Sequence, residues 1–105
     1  MQEVEFNGKV FTVDENGFLT DYDSYGADWV KLVAEGEQIE AVTPDHERVL
    51  NEIRGYYAEN GIAPMLRILT KTTGFDIKYI YQLFPSGPGK GACRMAGLPN
   101  PTGCI

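Results

Sequence analysis

An alternating run that turns back on itself is the strongest constraint on this chain. Residues 2–6 and 9–13 lie on either side of Asn7-Gly8. Asn and Gly tolerate positive φ at both central positions of a two-residue loop, so the pair specifies a tight β-hairpin. Pairing Phe6 with Lys9 sets Val4 opposite Phe11 and puts Val4, Phe6, Phe11 and Val13 on one face. A half-buried hairpin needs such a face, because register fixes which side is apolar. A second turn is expected at Glu15-Asn16-Gly17.

From about Ser24 the period becomes helical. Trp29, Leu32 and Val33 share a face, and Gly36 is placed to end that segment. Thr43-Pro44 reads as the cap and first residue of a second helix. Its buried stripe is Val49, Leu50, Ile53, Tyr56 and Tyr57, and Asn60-Gly61 closes it. A short helix is expected from Pro64 to Thr73, stopped by Gly74. Another starts near Asp76, with Ile77, Ile80, Tyr81 and Phe84 on one face, and stops at Pro85. Beyond Phe84 the composition shifts. Pro85 to Gly91 reads as a loop, Ala92 to Ala96 as one or two helical turns, and the residues after Gly97 as a mobile arm.

With 105 residues there is room for one domain, and 43% hydrophobic residues supply one core. The formal net charge of −6 argues against general binding to nucleic acid or anionic membranes. The charge is uneven, however. Residues 61–105 hold one acid, Asp76, and five bases, Arg67, Lys71, Lys78, Lys90 and Arg94. An acidic body thus carries a mildly basic tail, suited to visiting an anionic site. No apolar run has the ~20 residues of a membrane span, so the chain is not expected to be membrane-embedded. The acidic, alternating stretch from Met1 to Phe6 is unlike a signal peptide, and a cytoplasmic protein is expected. Thiols there are kept reduced, which argues against a permanent disulfide staple.

The candidate chemistry rests on Cys93 and Cys104. Ten residues separate them, which fits neither a CxxC motif nor a four-ligand zinc site. Cys93 could be an ordinary core cysteine. Cys104 follows Gly103 in a segment too irregular to pack, and an exposed thiol is costly unless it is used. Glycines and prolines between the two make a fold-back possible, and a disulfide needs Cα atoms ~5.5 Å apart. The carboxylate of Ile105 disfavours the Cys104 thiolate, whereas Lys90 and Arg94 favour it if the segment folds back. Such a thiol needs a partner's pocket for activation, which is the logic of a carrier rather than a stand-alone enzyme.

Two further patterns compete. Pro64 to Phe84 is similar to a helix-turn-helix, but its exposed face offers Asp76, Lys78, Tyr79 and Gln82, a poor set for phosphates. Gly87 to Gly91 lacks the spacing of a phosphate loop and reads as a glycine-rich hinge. His46, beside Asp45 at a helix start, reads as a surface residue.

Leu83 to Cys93, then Ala96-Gly97-Leu98-Pro99 and Pro101-Thr102-Gly103-Cys104, resemble the C-terminal signature of the DsrC family. That family includes the gamma subunit of dissimilatory sulfite reductase and the sulfur-relay protein TusE. Asn60-Gly61-Ile62-Ala63-Pro64, Thr73-Gly74-Phe75 and Pro44-Asp45-His46 carry the resemblance through the chain. It implies a mainly α (α+β) fold over residues 1–105. An N-terminal hairpin precedes a bundle of about five short helices, and a flexible arm over 85–105 carries both cysteines. It also implies that Cys104 accepts a sulfur intermediate from the alpha and beta subunits of the reductase. Cys93 then closes a trisulfide, with Lys90, Arg94 and Gly103 supporting the arm and its partner contacts. No cofactor is implied for this chain. Siroheme and iron–sulfur clusters are expected in the partner, and a membrane-bound thiol/disulfide reductase complex and sulfur-transfer proteins are the further partners. The alternatives are a TusE-like persulfide relay for tRNA thiolation and a helix-turn-helix DNA-binding regulator. TusE-type members generally keep only the cysteine equivalent to Cys104, so Cys93 favours the sulfite-reductase branch.

Overall fold

The computed structural model describes residues 2–99. Strands β1 (Gln2–Phe6) and β2 (Lys9–Val13) form the hairpin in the expected register, with Phe6 opposite Lys9 and Val4 opposite Phe11. Asn7 at φ 52° and Gly8 at φ 80° make the tight turn. Phe11 and Val13 are buried, with Val4 and Phe6 packed against them. The second turn is built by Asp14, whose carboxylate accepts from the backbone N–H of Asn16 and Phe18.

The first helix begins later than expected. Asp21 accepts from the N–H of Asp23 and the hydroxyl of Ser24, which winds Tyr22–Ser24 into a 3-10 turn. Helix α1 then runs Ala27–Gly36 and buries Trp29, Val33 and Ala34. Helix α2 (Pro44–Asn60) has the expected Thr43 cap, the stripe Val49, Leu50 and Ile53, and a left-handed Gly61 at its end. Helix α3 (Leu66–Thr73) stops at Gly74, and α4 (Ile77–Leu83) is capped by Asp76. The buried side of α4 is Ile80, Leu83 and Phe84. Ile77 and Tyr81 were expected on that face but lie at its rim, 52% and 45% exposed.

The largest departure is the segment from Pro88 to Leu98. Pro88–Cys93 is a π-helix, not a loop or a hinge. Gly91 shows why the glycines are there: a Cβ would lie 3.0 Å from Cβ of Phe84, so its absence lets the segment close on the end of α4. Ala92, Cys93, Met95, Ala96 and Leu98 complete the core together with Trp29, Leu50 and Ile53. Of the arm expected over 85–105, the residues from Pro88 to Leu98 are therefore built into the body. Its remainder from residue 100, with Gly103 and Cys104, lies outside the described residues.

His46 is not on the surface. It is 6% exposed and links the start of α2 to the end of α4. The Thr43 N–H donates to Nδ1 at 3.1 Å, so Nδ1 is the acceptor and Nε2 carries the proton. Nε2 then donates to the Leu83 carbonyl at 2.9 Å, with the ring edge-on to Phe84. We predict the neutral Nε2–H tautomer in solution. Long-range ¹H–¹⁵N NMR checks it, and a protonated Nδ1 in the folded protein would refute the assignment.

Candidate functional site

Cys93 ends the π-helix and is 1% exposed. The next turn of chain holds it in place. The Leu98 N–H donates back to the Cys93 carbonyl at 3.2 Å, and the Ala96 N–H to that of Ala92 at 2.9 Å. Three side chains from the body bind this stretch. Trp29 Nε1 donates to the Arg94 carbonyl at 2.8 Å, and Arg54 Nη1 donates to the Ala96 carbonyl at 2.7 Å. Glu37 pairs with Arg94 Nη2 at 3.3 Å. A buried carbonyl taken from water must find a donor, so the Trp29 and Arg54 contacts add to the apolar packing that holds the segment.

Lys90 and Arg94 come together around a small cavity of about 140 Å³ that Asn16, Glu37 and Ser86 also line. Lys90 is exposed. Arg94 is committed to Glu37, and neither Arg94 Nε nor Glu37 Oε1 has a hydrogen-bond partner among the described residues. Gly103 and Cys104, the other expected site residues, lie outside the described residues. A groove of about 590 Å³ runs between α1 and α2 past Val30, Leu50, Glu35, Glu40 and Glu47. None of the expected site residues lines it. Among the described residues no three His, Cys, Asp or Glu side chains are grouped to hold a metal ion, and no helix is long and apolar enough to cross a membrane.

Sequence reasoning missed Arg54, Trp29 and Glu37. Arg54 lies with its guanidinium carbon 3.7 Å from the Tyr25 ring centroid and 4.5 Å from that of Tyr22. Burial pushes the Tyr25 phenol above its ordinary value, opposed by the Arg54 charge. Such a grouping draws residues from distant parts of the chain and leaves no periodic signal.

The helix-turn-helix resemblance is also resolved in detail. Arg48 of α2 donates to the carbonyls of Thr73 and Thr72 at 3.1 and 3.3 Å and so caps α3. The Tyr79 hydroxyl donates to the Asp45 carboxylate, and Asp76 caps α4. Two of the four residues proposed for a reading face are thus engaged within the body.

Comparison with known proteins places this architecture. The family model described as DsrC like protein matches residues 5–105. The chain is 56% identical to the dissimilatory-type sulfite reductase subunit gamma of Nitratidesulfovibrio vulgaris, over the full length of both. It is 35% identical to the sulfurtransferase TusE of Pectobacterium atrosepticum, over 97% of this chain and 99% of that one. The crystal structure of dissimilatory sulfite reductase I superposes with a TM-score of 0.93 at 56% identity, covering 99% of this chain and 100% of that chain. Family model, full-length identity and a shared hairpin-plus-helices fold agree: the chain belongs to the DsrC family.

Proposed function

We propose that the protein is a sulfur carrier and redox co-substrate of a dissimilatory-type sulfite reductase. The observation that carries this reading is the full-length identity of 56% to a sulfite reductase gamma subunit, in a chain that has both Cys93 and Cys104. The geometry supports a division of labour. Cys93 is enclosed by the body, whereas Cys104 lies five residues beyond Pro99, which is exposed. At roughly 3.3–3.6 Å per residue, the Cys104 Cα can lie up to about 18 Å from Pro99, enough to enter a partner's cleft. Cys104 accepts the sulfur and Cys93 closes the trisulfide. One sulfite, two thiols, two electrons and four protons give one trisulfide and three waters. The two electrons come from the partner reductase, whose siroheme and iron–sulfur clusters supply the redox chemistry. A membrane-bound thiol/disulfide reductase complex then supplies four electrons, which with four protons regenerate the two thiols and release the bridging sulfur as hydrogen sulfide.

A persulfide relay of the TusE kind is the second reading, supported by 35% identity over nearly the whole chain. The two differ in what they need from Cys93, since a persulfide requires one thiol and a trisulfide two.

The test uses purified sulfite reductase, sulfite and an electron donor, with intact-mass analysis of this chain. The expected product gains the mass of one sulfur less two hydrogens and loses both free thiols. A chain that leaves turnover with unchanged mass and thiols would refute the co-substrate reading. Gain of a single reducible persulfide with Cys93 still free would favour the relay.

A further inference from the structure

We infer that the groove between α1 and α2 is a docking site for a basic amphipathic helix of a partner protein. The inference stands apart from the sulfur-carrier reading, since the groove is lined by residues between Tyr25 and Asn51, away from the segment that holds Cys93. Its floor is apolar. Val30, Ala34 and Leu50 line it from the two helices, and Ile39 and Val42 from the connection between them. Ala34 and Leu50 belong to the buried core, whereas Val30, Ile39 and Val42 are half-buried against it. The floor is thus an edge of the core left open to solvent. Its volume of about 590 Å³ falls within the roughly 300–1,000 Å³ of a ligand-sized cavity.

The rim decides what enters. Glu35 of α1, Glu40 of the connection and Glu47 of α2 are exposed around the floor, together with Lys31. Three negative charges against one positive leave a balance of −2 at the mouth. Among the described residues none of the three carboxylates makes a side-chain hydrogen bond or an ion pair, and the ion pair of the body joins Glu37 to Arg94. The acidic face continues along α2 through Glu52 to Glu59. Arg48, which borders it, is committed to the carbonyls of Thr72 and Thr73. Such a field repels nucleic-acid phosphates and anionic lipids and attracts lysine and arginine side chains. The shape favours a helix. The groove face of α1 runs from Ala27 to Glu35, eight steps or about 12 Å at 1.5 Å per residue. Two turns of a helix laid alongside cover the same length and present apolar anchors at i, i+4 and i+7. Basic residues flanking those anchors then meet the glutamates.

The test uses the full ¹⁵N-labelled chain and a synthetic helix with leucines at i, i+4 and i+7 flanked by lysines. NMR titration is expected to shift the amides of Val30, Ala34, Ile39 and Leu50 saturably, with an affinity that falls as salt rises. Reversing the rim with Glu35→Lys, Glu40→Lys and Glu47→Lys together should weaken binding roughly tenfold. These side chains are exposed, so the fold is kept, and circular dichroism checks it. Val30→Ala, which takes two carbons from the floor, should weaken binding about three- to tenfold with the rim intact. A titration with no shift at the groove amides would overturn the proposal, and so would equal binding of a helix with glutamates in place of the lysines. Spermidine shifting the same amides with equal affinity would make this a polyamine site and overturn the helix as occupant. Concentration-dependent shifts of these amides in the chain alone would assign the groove to a second copy and overturn the partner.

Discussion

Cys104→Ala is expected to abolish sulfur acceptance from the reductase. The reason is access. A buried active site can be entered by a narrow segment but not by a folded body, and Cys93 is 1% exposed within that body. Cys93→Ala should behave differently. It should still dock and still take one sulfur, as a persulfide on Cys104, since the acceptor thiol is intact. What it loses is ring closure, because thiol–disulfide exchange needs a second sulfur and Cys93 is the only other cysteine in the chain. Intact-mass analysis before and after a reductant separates the cases: no added sulfur on the Cys104 variant, and a reducible single sulfur on the Cys93 variant. Sulfur loading of the Cys104 variant at the wild-type rate would reverse the assignment of acceptor.

The second large effect is on stability. Trp29→Ala should cost about 3–5 kcal/mol, the range for removing a large buried aromatic. A domain has only about 5–15 kcal/mol in total, so the variant sits near the edge of folding. Trp29 joins three parts of the molecule. Its ring meets Phe11 of β2 at 5.4 Å between centroids, its body packs in α1, and its N–H holds the Arg94 carbonyl. Trp29→Phe separates the terms, since it keeps most of the packing and removes only the indole donor, while the carbonyl still accepts from the Gly97 N–H at 3.0 Å, so a loss of about 0.5–1.5 kcal/mol is expected. Urea unfolding followed by circular dichroism measures both. A Trp29→Ala variant within about 1 kcal/mol of the wild type would contradict the packing described.

The elements that could be read in advance are those that local chemistry decides. Asn7-Gly8 sets the hairpin register because both residues accept positive φ. Thr43-Pro44, Gly61 and Gly74 mark helix ends because the orphan backbone groups need a cap or a left-handed turn. The π-helix and the burial of His46 were not legible, because distant partners decide them. Glycines in Gly87 to Gly91 suggest freedom when read alone, but Gly91 permits close contact with Phe84, and Gly87 with Tyr81. His46 looks like a polar residue at a helix start until Leu83, 37 residues later, presents a carbonyl to it. Among the candidate site residues, the two cysteines and Lys90 and Arg94 stand out by type and position in the sequence. Arg54 does not, since its significance comes from Tyr25 and Ala96, which neither motif nor period connects to it.

The wide turn at Pro88–Cys93 also sets a phase. A π-helix bonds each residue to one five places on, so it holds an extra residue per turn compared with an α-helix. In an α-helix each residue advances the direction of the side chain by about 100°. Deleting one residue between Pro88 and Gly91 would let the segment relax to α geometry, and everything after the deletion would be rotated relative to the body by about that angle. Lys90 or its replacement, Cys93 and the Ala96 carbonyl would then face different neighbours, with no change in their order along the chain. The extra residue per turn thus works as an angular spacer, setting which way Cys93 and the Ala96 carbonyl face within the body.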